Sequence, residues 1–477
     1  MMETAPGRQS GGTVIEAPAI DELRDSLRGQ LVAPGEPGYD DARRVWNGDI
    51  DRRPAFIVRC TGVADVRAGL AFSRQHGLLV SIRGGGHNVS GSAVAEGGLM
   101  LDLSPMRTVR IDPARRLVRV DPGVTLGELD RETQGHGLAV PAGIVTTTGV
   151  AGLTLGGGIG WLMRRHGLTS DRLRSADVLT ADGELHVIGD DREPDLFWAI
   201  RGGGGNFGIV TSFEFEAPRV GPEVLAGMVL YPLEDGVEVL RAYRAWAEQA
   251  PEEVTTILAL RTVLPLPAIP AALHGRRVVQ VGACHLGEPE EAERSLASLR
   301  RLHGVPLLDT IARKPFLAHQ RAFEASVPWG HGYYWKSLFL DRLEDPAIEL
   351  LVERAASATQ PWSYVIVFEL GGAVARVPEE ACAYSGRSAG FAVNINGVWE
   401  PGADGSAERA WTRDLFEALA PHASGGVYVN FLGNEGEERV RAAYGAVKYE
   451  RLVELKTRYD PENVFRLNQN IPPREQG

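Results

Sequence analysis

Glycine, gathered into clusters rather than spread along the chain, most limits what this sequence can fold into. Of 477 residues 57 are glycine, about 12% where ~7% is usual. The clusters fall at 84–86, 97–98, 156–158 and 202–205, all before residue 220. A residue without Cβ takes backbone angles closed to other residues and lets a second backbone or a ligand come close. Between about 220 and 425 no glycine run exceeds two residues. The chain therefore divides into a first part built around tight turns and a second part of different character.

One cluster, Gly203-Gly204-Gly205-Asn206-Phe207-Gly208, formally matches GxGxxG. A dinucleotide-binding fingerprint must follow a strand and open a helix, so that the helix N-terminus meets the pyrophosphate. Here the order is reversed: Glu193 to Ile200 reads as a helix with Pro194 in its first turn, and Ile209 to Phe215 reads as a strand. The Rossmann reading is rejected, and no GxxxxGK[ST] string supplies a P-loop. Successive backbone N–H groups in glycine turns still form anion-binding concavities. Three such turns within about 125 residues point to a large, flat, phosphate-containing cofactor, or else only to tight turns between short strands.

Local patterns before residue 220 alternate. Short strands are expected at 55–59, 78–83, 99–103 and 117–120, with helices at 63–74 and 126–135. Beyond 220, strands are expected at 224–231, 278–284, 364–370 and 391–399, and helices at 235–250, 289–303 and 345–358. This order suits helices on one face of an antiparallel sheet, and the fold class reads as α+β. Four segments follow: a disordered N-terminus 1–16, a first domain 17–218, a second domain 219–425, and a C-terminal segment 426–477.

Composition narrows the function classes. Fifty basic and 62 acidic residues leave a formal charge of −12, and no basic run offers a nucleic-acid footprint. Cys60, Cys284 and Cys382 form no CxxC pair, so neither a disulfide framework nor a thiolate metal site is expected. The polar start MMETAPGRQSGG lacks an apolar signal core, and no stretch approaches ~18 apolar residues. A cytoplasmic protein, monomeric or homodimeric, without membrane or nucleic-acid partners is expected.

Read as full strings, the glycine motifs gain specificity. Ser81-Ile82-Arg83-Gly84-Gly85-Gly86-His87-Asn88, then Thr148-Gly149-Val150-Ala151-Gly152-Leu153-Thr154-Leu155-Gly156-Gly157-Gly158-Ile159-Gly160-Trp161, then Asp195 to Gly208, and finally Tyr459-Asp460-Pro461 and Arg466 to Ile471 resemble the FAD-linked oxidases of the berberine-bridge-enzyme type. Trp46-Asn47-Gly48 and Leu370 to Pro378 resemble its bacterial branch, which includes 6-hydroxy-D-nicotine oxidase and oxidases of antibiotic pathways. The resemblance implies the vanillyl-alcohol-oxidase, or PCMH-type, fold. The first domain with the returning C-terminal segment would hold FAD, and the second would lay an antiparallel sheet over the isoalloxazine ring.

The resemblance also implies roles for particular residues. Nothing around His87 has metal-ligand spacing, and alone it reads as a turn residue. In the resembled family this histidine is bonded to the flavin 8α-methyl carbon, a reaction that needs a neutral imidazole, available from an ordinary pKa near ~6.5. Many relatives add a cysteinyl link, but Val145 stands at that position in Val145-Thr146-Thr147-Thr148-Gly149, so a single link is implied. Gly84, Gly85, Gly86 and Asn88 are implied to cradle the pyrophosphate. Gly149, Gly152, Gly156, Gly157, Gly158 and Gly160 are implied to pass the ribityl and ring portions, with hydroxyl hydrogen bonds from Thr147 and Thr148. Gly208 and Val210 would meet the adenosine end, and Asn468 and Asn470 would fix the flavin or its flanking loop.

For proton removal, the expected groups are Tyr428 and Glu369, the latter a carboxylate among apolar neighbours whose burial would raise its pKa. Tyr334 and Lys336 are weaker candidates for lining the pocket. The resemblance thus implies an FAD-dependent oxidase of a small, secondary-metabolite substrate that passes electrons to O₂. A flavin dehydrogenase with poor O₂ reactivity and a non-catalytic flavin-containing binding protein remain open alternatives.

Overall fold

The computed structural model describes residues 15–475. Residues 1–14 of the expected disordered start lie outside the described residues, and Ile15 is buried. Three sheets organise the chain. The first is four-stranded, with Gln30–Val32, Phe56–Arg59, Leu99–Asp102 and Val80–Arg83 in spatial order. Its three later strands run parallel, because the helix Val63–Gln75 provides the crossover that a parallel pair needs. The second is a five-stranded antiparallel sheet built from Val109–Asp112, Leu117–Val120, Ile209–Glu216, Leu173–Leu179 and Leu185–Gly189.

The third sheet has eight strands and uses only residues 223–399. Its spine runs Glu223–Pro232, Arg277–His285, Val254–Thr262, Tyr364–Glu369, Phe391–Trp399 and Gly332–Leu340, all antiparallel. Period-two alternation gives it two apolar faces. One face, with Leu258, Val281, Val365, Val367, Val393 and Ile395, is covered by helices including Gly236–Ala247, Asp345–Ala356 and Ser406–Leu419. The opposite face, with Ile257, Ile366, Phe368 and Ala392, packs on Trp46, Ile159, Trp161 and Leu162 from the glycine-rich part.

Two of these strands escape the sequence reading. Val254–Thr262 has eight buried residues out of nine, but its threonines and Arg261 break up the apolar run that marks Tyr364–Glu369. The aromatic run Trp329 to Trp335 is given no element from the sequence, and a strand, Gly332–Leu340, begins inside it. The C-terminal helices Glu437–Tyr444 and Ala446–Tyr459 return to the five-stranded sheet, placing Val440, Tyr449 and Leu452 in its core. Behind them Lys456 and Asp460 form a fully buried pair at 2.6 Å. Lys456 also donates to the carbonyls of Asn206 and Phe465, and Asp460 accepts from the backbone N–H groups of Val464 and Phe465. This explains the Tyr459-Asp460-Pro461 string: it anchors the last segment.

Asp130, on the helix Leu126–Gln134, is 1% exposed and accepts from Gln320 Nε2 at 2.9 Å. Burial raises its pKa to about 7. A raised carboxyl pKa means the folded state binds the proton more tightly than the unfolded chain. Its stabilising contribution is therefore complete below the unfolded value near ~3.9 and is lost as pH rises through about 7. Asp130→Asn, which cannot ionise, is expected to flatten the fall in melting temperature between those values relative to the native protein, as measured by thermal melts across pH.

Candidate active site

The turn after Val80–Arg83 is held rigidly. Arg83 donates to both oxygens of the buried Asp102, at 3.0 and 2.9 Å, and to the carbonyl of Ala42. The turn carries Gly84 to Asn88 against the loop at Thr148-Gly149. A Cβ at Gly85 would lie 2.4 Å from the Gly149 backbone nitrogen, and one at Gly149 would lie 2.4 Å from that of Gly85. Only glycine permits this contact. It forms a wall with a space on each side.

The outer space, a cleft of about 750 Å³, is lined by charged residues. Its Arg83, Arg107 and Arg321 are already matched by Asp102, Glu128 and Glu324. The inner space is a cavity of about 300 Å³ running between the glycine-rich part, the eight-stranded sheet and the C-terminal segment, at the lower end of small-molecule sites, ~300–1,000 Å³. Gly84, Gly85, Gly86, His87, Asn88, Thr148, Gly149, Gly152, Gly208, Val210, Tyr428 and Asn468 all line it. Turns and strand ends far apart in the sequence thus meet in one space.

Its walls also suit a flat cofactor. A Cβ on Gly152 would meet nothing within 4 Å, and those on Gly204 and Gly205 would meet only amide ends at 3.8 and 3.9 Å. Side chains there would enter the cavity itself. The Asn206 amide ties this turn to the C-terminal segment by accepting from Ile471 N–H and donating to the Gln469 carbonyl. The helix Pro194–Ile200 before the turn and the strand Ile209–Glu216 after it keep the order that excludes a Rossmann site.

His87 is half-buried, with its ring stacked on Trp46 at 4.2 Å and 16°. Trp46 in turn stacks on Tyr333 at 3.7 Å, so the indole lies between the imidazole and the large sheet. Asn47 donates to the carbonyls of Val89 and Tyr333 and accepts from Tyr333 N–H. Desolvation lowers the His87 pKa to about 3, which keeps the imidazole neutral and nucleophilic at physiological pH. Thr147 Oγ1 lies 3.4 Å from His87 Nε2 but faces the outer cleft rather than the cavity. Asn88 spends its side-chain carbonyl on Ser90 and Ser92.

Tyr428 is 1% exposed. Its Oη accepts from Gly158 N–H and from Asn430 Nδ2, each at 2.9 Å. Asn430 Nδ2 also donates to the Leu153 carbonyl, which fixes the amide with its nitrogen toward Tyr428. Burial pushes the phenol up to about 12, and these donors oppose the shift. The hydroxyl is therefore protonated near neutral pH, with its oxygen held by two N–H groups that would stabilise a phenolate.

Several expected residues lie elsewhere. Glu369 is not at the cavity. Its neighbour Phe368 lines it, and alternation sends Glu369 to the helix-covered face, where it pairs with buried Arg164 and accepts from Thr256 and Tyr243. Burial raises its pKa as expected, but it faces a salt bridge rather than substrate. Tyr334 and Lys336 likewise face the helix Ser406–Leu419 side, near Arg409 and Phe416, while Trp335 lines the cavity. Gly156, Gly157, Gly158 and Gly160 are buried behind the cavity rather than lining it; their would-be Cβ atoms meet Asn430, Tyr384, Thr169 and the Ala142 carbonyl. Asn470 does not line the cavity either, unlike Asn468. Trp335, Phe368, Phe431, Asn206 and Gln469 line the cavity without having been expected there; Phe368 lies on an expected strand and Asn206 and Gln469 lie within the quoted strings, whereas the strand that carries Trp335 had no signal.

Two family models match the chain: an FAD binding domain over residues 54–189 and a "Berberine and berberine like" segment over 427–472. An FAD-linked oxidoreductase of Dictyostelium discoideum is 30% identical over 95% of this chain and 97% of its own length. The chain belongs to the berberine-bridge-enzyme-like family of FAD-linked oxidoreductases. (R)-6-hydroxynicotine oxidase of Paenarthrobacter nicotinovorans is 30% identical over 94% of this chain and 97% of that protein. The crystal structure of 6-hydroxy-D-nicotine oxidase from Arthrobacter nicotinovorans superposes with a TM-score of 0.84 at 29% identity, covering 94% of this chain and 99% of that one. A xylooligosaccharide oxidase from Myceliophthora thermophila, 23% identical, shares the fold at a TM-score of 0.84, covering 96% of this chain and all of that one.

The two classes of glycine in this berberine-bridge-enzyme-like chain make a direct test. Gly152→Leu is expected to yield folded protein with little flavin, because the side chain occupies the cavity. Gly160→Ala drives Cβ to 1.8 Å from a backbone oxygen and should cost about 2 kcal/mol or more. Flavin-to-protein absorbance and thermal melts separate the two effects.

Proposed function

We propose that this oxidoreductase is an oxidase of a small organic substrate, carrying FAD on a single covalent link to His87. The observation that carries this reading is the neutral imidazole of His87, stacked on Trp46 at the edge of a glycine-walled cavity. When bound, FAD supplies the hydride acceptor and passes the electrons to O₂, giving H₂O₂. In this reading residues 17–218 with 426–477 hold the cofactor and 219–425 the substrate.

The chain's own groups have distinct tasks. Trp46 holds the imidazole plane, and desolvation keeps it unprotonated. Two turns, one of Gly84, Gly85 and Gly86 and the other of Gly204, Gly205 and Asn206, offer backbone N–H groups and room for phosphates. Tyr428 donates its hydroxyl proton to a substrate heteroatom, or as phenolate accepts a substrate O–H or N–H proton. Trp335, Phe368 and Phe431 line the same cavity and favour an apolar or aromatic substrate body. Such a substrate suits secondary metabolism, and alcohol or amine oxidation and oxidative ring closure are the reactions available. The three buried, free cysteines suit the reducing cytoplasm.

Val145 lines the cavity where relatives with a second link carry cysteine, and valine cannot form a thioether. Purified protein should be yellow, and acid precipitation should leave the colour in the pellet. His87→Ala should release it to the supernatant, whereas replacing Cys60, Cys284 or Cys382 should not. Colour released from the native protein would refute the covalent link. Oxygen-electrode assays with candidate alcohols and amines should show uptake that rises toward alkaline pH and falls ~10²-fold or more in Tyr428→Phe; turnover with an artificial acceptor alone would mark a dehydrogenase.

A further inference from the structure

Five cationic side chains are buried among the described residues: Arg164, Arg261, Arg387, Lys448 and Lys456. Four have acids beside them: Glu369, Asp171, Glu379 and Asp460. Arg261, only 9% exposed, forms no ion pair among the described residues. The one hydrogen bond it donates is a long one, 3.4 Å from Nε to the carbonyl of the adjoining Thr262. Its guanidinium instead lies over the ring of Tyr364, 5.4 Å from the centroid. A buried charge without a partner destabilises the fold, and the other four buried cations of this chain are each matched by an acid.

Strand register shows what surrounds it. Leu258 and Leu260 belong to the helix-covered face, so Arg261 shares the opposite face, with Val278 across from it on one side. Tyr364 stands directly opposite on the next strand. Gln280, opposite Ala259, shares the face, and its Nε2 has no acceptor among the described residues. Arginine, tyrosine hydroxyl and amide are all hydrogen-bond donors, and the small Ala259 shares their face between Gln280 and Ile366. Phe368, four residues along the strand from Tyr364 on the same face, lines the cavity, which puts the donor group ~13 Å from it at ~3.3 Å per residue.

We propose that Arg261, with Tyr364 and Gln280, is the anchor for a carboxylate carried by the substrate at the end remote from its oxidised carbon. The assignment rests on the reading of the cavity as the site of oxidation. A carboxylate meets the guanidinium fork with two parallel hydrogen bonds, and it supplies the negative charge that the protein omits. Such a substrate is an aromatic or apolar acid long enough to reach from the ring-lined cavity to this sheet position.

Calorimetry on the flavin-loaded protein tests the assignment with 6-phenylhexanoate and its neutral isostere 6-phenylhexanamide as probes, long enough to span the ~13 Å. The carboxylate is expected to bind about tenfold or more tightly than the amide, and Arg261→Gln should erase the difference. Arg261→Met should also raise the melting temperature, because it removes an unpaired buried charge. Equal binding of the two probes, no carboxylate binding at millimolar concentration, carboxylate affinity unchanged in Arg261→Gln, or a lower melting temperature in Arg261→Met would each overturn it. Both variants should keep their flavin in the acid-precipitated pellet. Release of colour from native and variant protein alike would refute the His87 link and leave the calorimetric comparison standing.

Discussion

The contact on which the site depends is one between two backbones. Gly85 and Gly149 approach so closely that neither could carry a Cβ. This contact closes a wall between the outer cleft and the inner cavity and sets the direction in which the chain leaves the turn toward His87. Arg83 and Asp102 hold one side of the wall through paired charge-assisted hydrogen bonds. The other side opens the helix Val150–Leu155, whose exposed Gly152 faces the cavity. A methyl group at either contact would move the histidine and the cavity together.

A second theme is how the glycine-rich part meets the eight-stranded sheet. Trp46 and Asn47 reach one strand through stacking on Tyr333 and reciprocal hydrogen bonds between the Asn47 side-chain amide and the Tyr333 backbone. Arg164 reaches another through Glu369. Both links are buried, and both attach to strands that carry the cavity-lining Trp335 and Phe368. Burial makes these polar links costly to break and so holds the ring-lined wall at a defined distance from His87.

The three glycine strings and the C-terminal string, their order and the reversed context of the GxGxxG match were legible in the sequence, and with them the family and the cofactor. So were many of the strands, among them Phe56–Arg59, Leu117–Val120 and Ile209–Glu216, and the helices Val63–Gln75, Leu126–Gln134 and Asp345–Ala356. Burial of both faces is not the reason for the misses: Tyr364–Glu369 and Phe391–Trp399 are buried throughout, yet their β-branched and aromatic runs mark them, whereas Val254–Thr262 mixes threonines and an arginine among leucines and Gly332–Leu340 begins inside a glycine-interrupted aromatic run. Glu369 illustrates the cost. A carboxylate among apolar residues looked like a base, but whether it or Phe368 faces the cavity turns on a one-residue phase that only the paired strands define.

What the residues determined unaided is local and chemical. Glycine at 85 and 149 permits close backbone approach, histidine at 87 supplies a nucleophile, and valine at 145 forbids a thioether. Which glycines line the cavity and which only pack behind it was decided by the tertiary structure, since Gly152 and Gly156 differ in neighbours rather than in kind. The same holds for Arg261, one of many arginines in the chain. Its missing partner becomes visible only once folding has removed it from water and brought Tyr364 and Gln280 beside it, because the cost of a charge is a property of its surroundings.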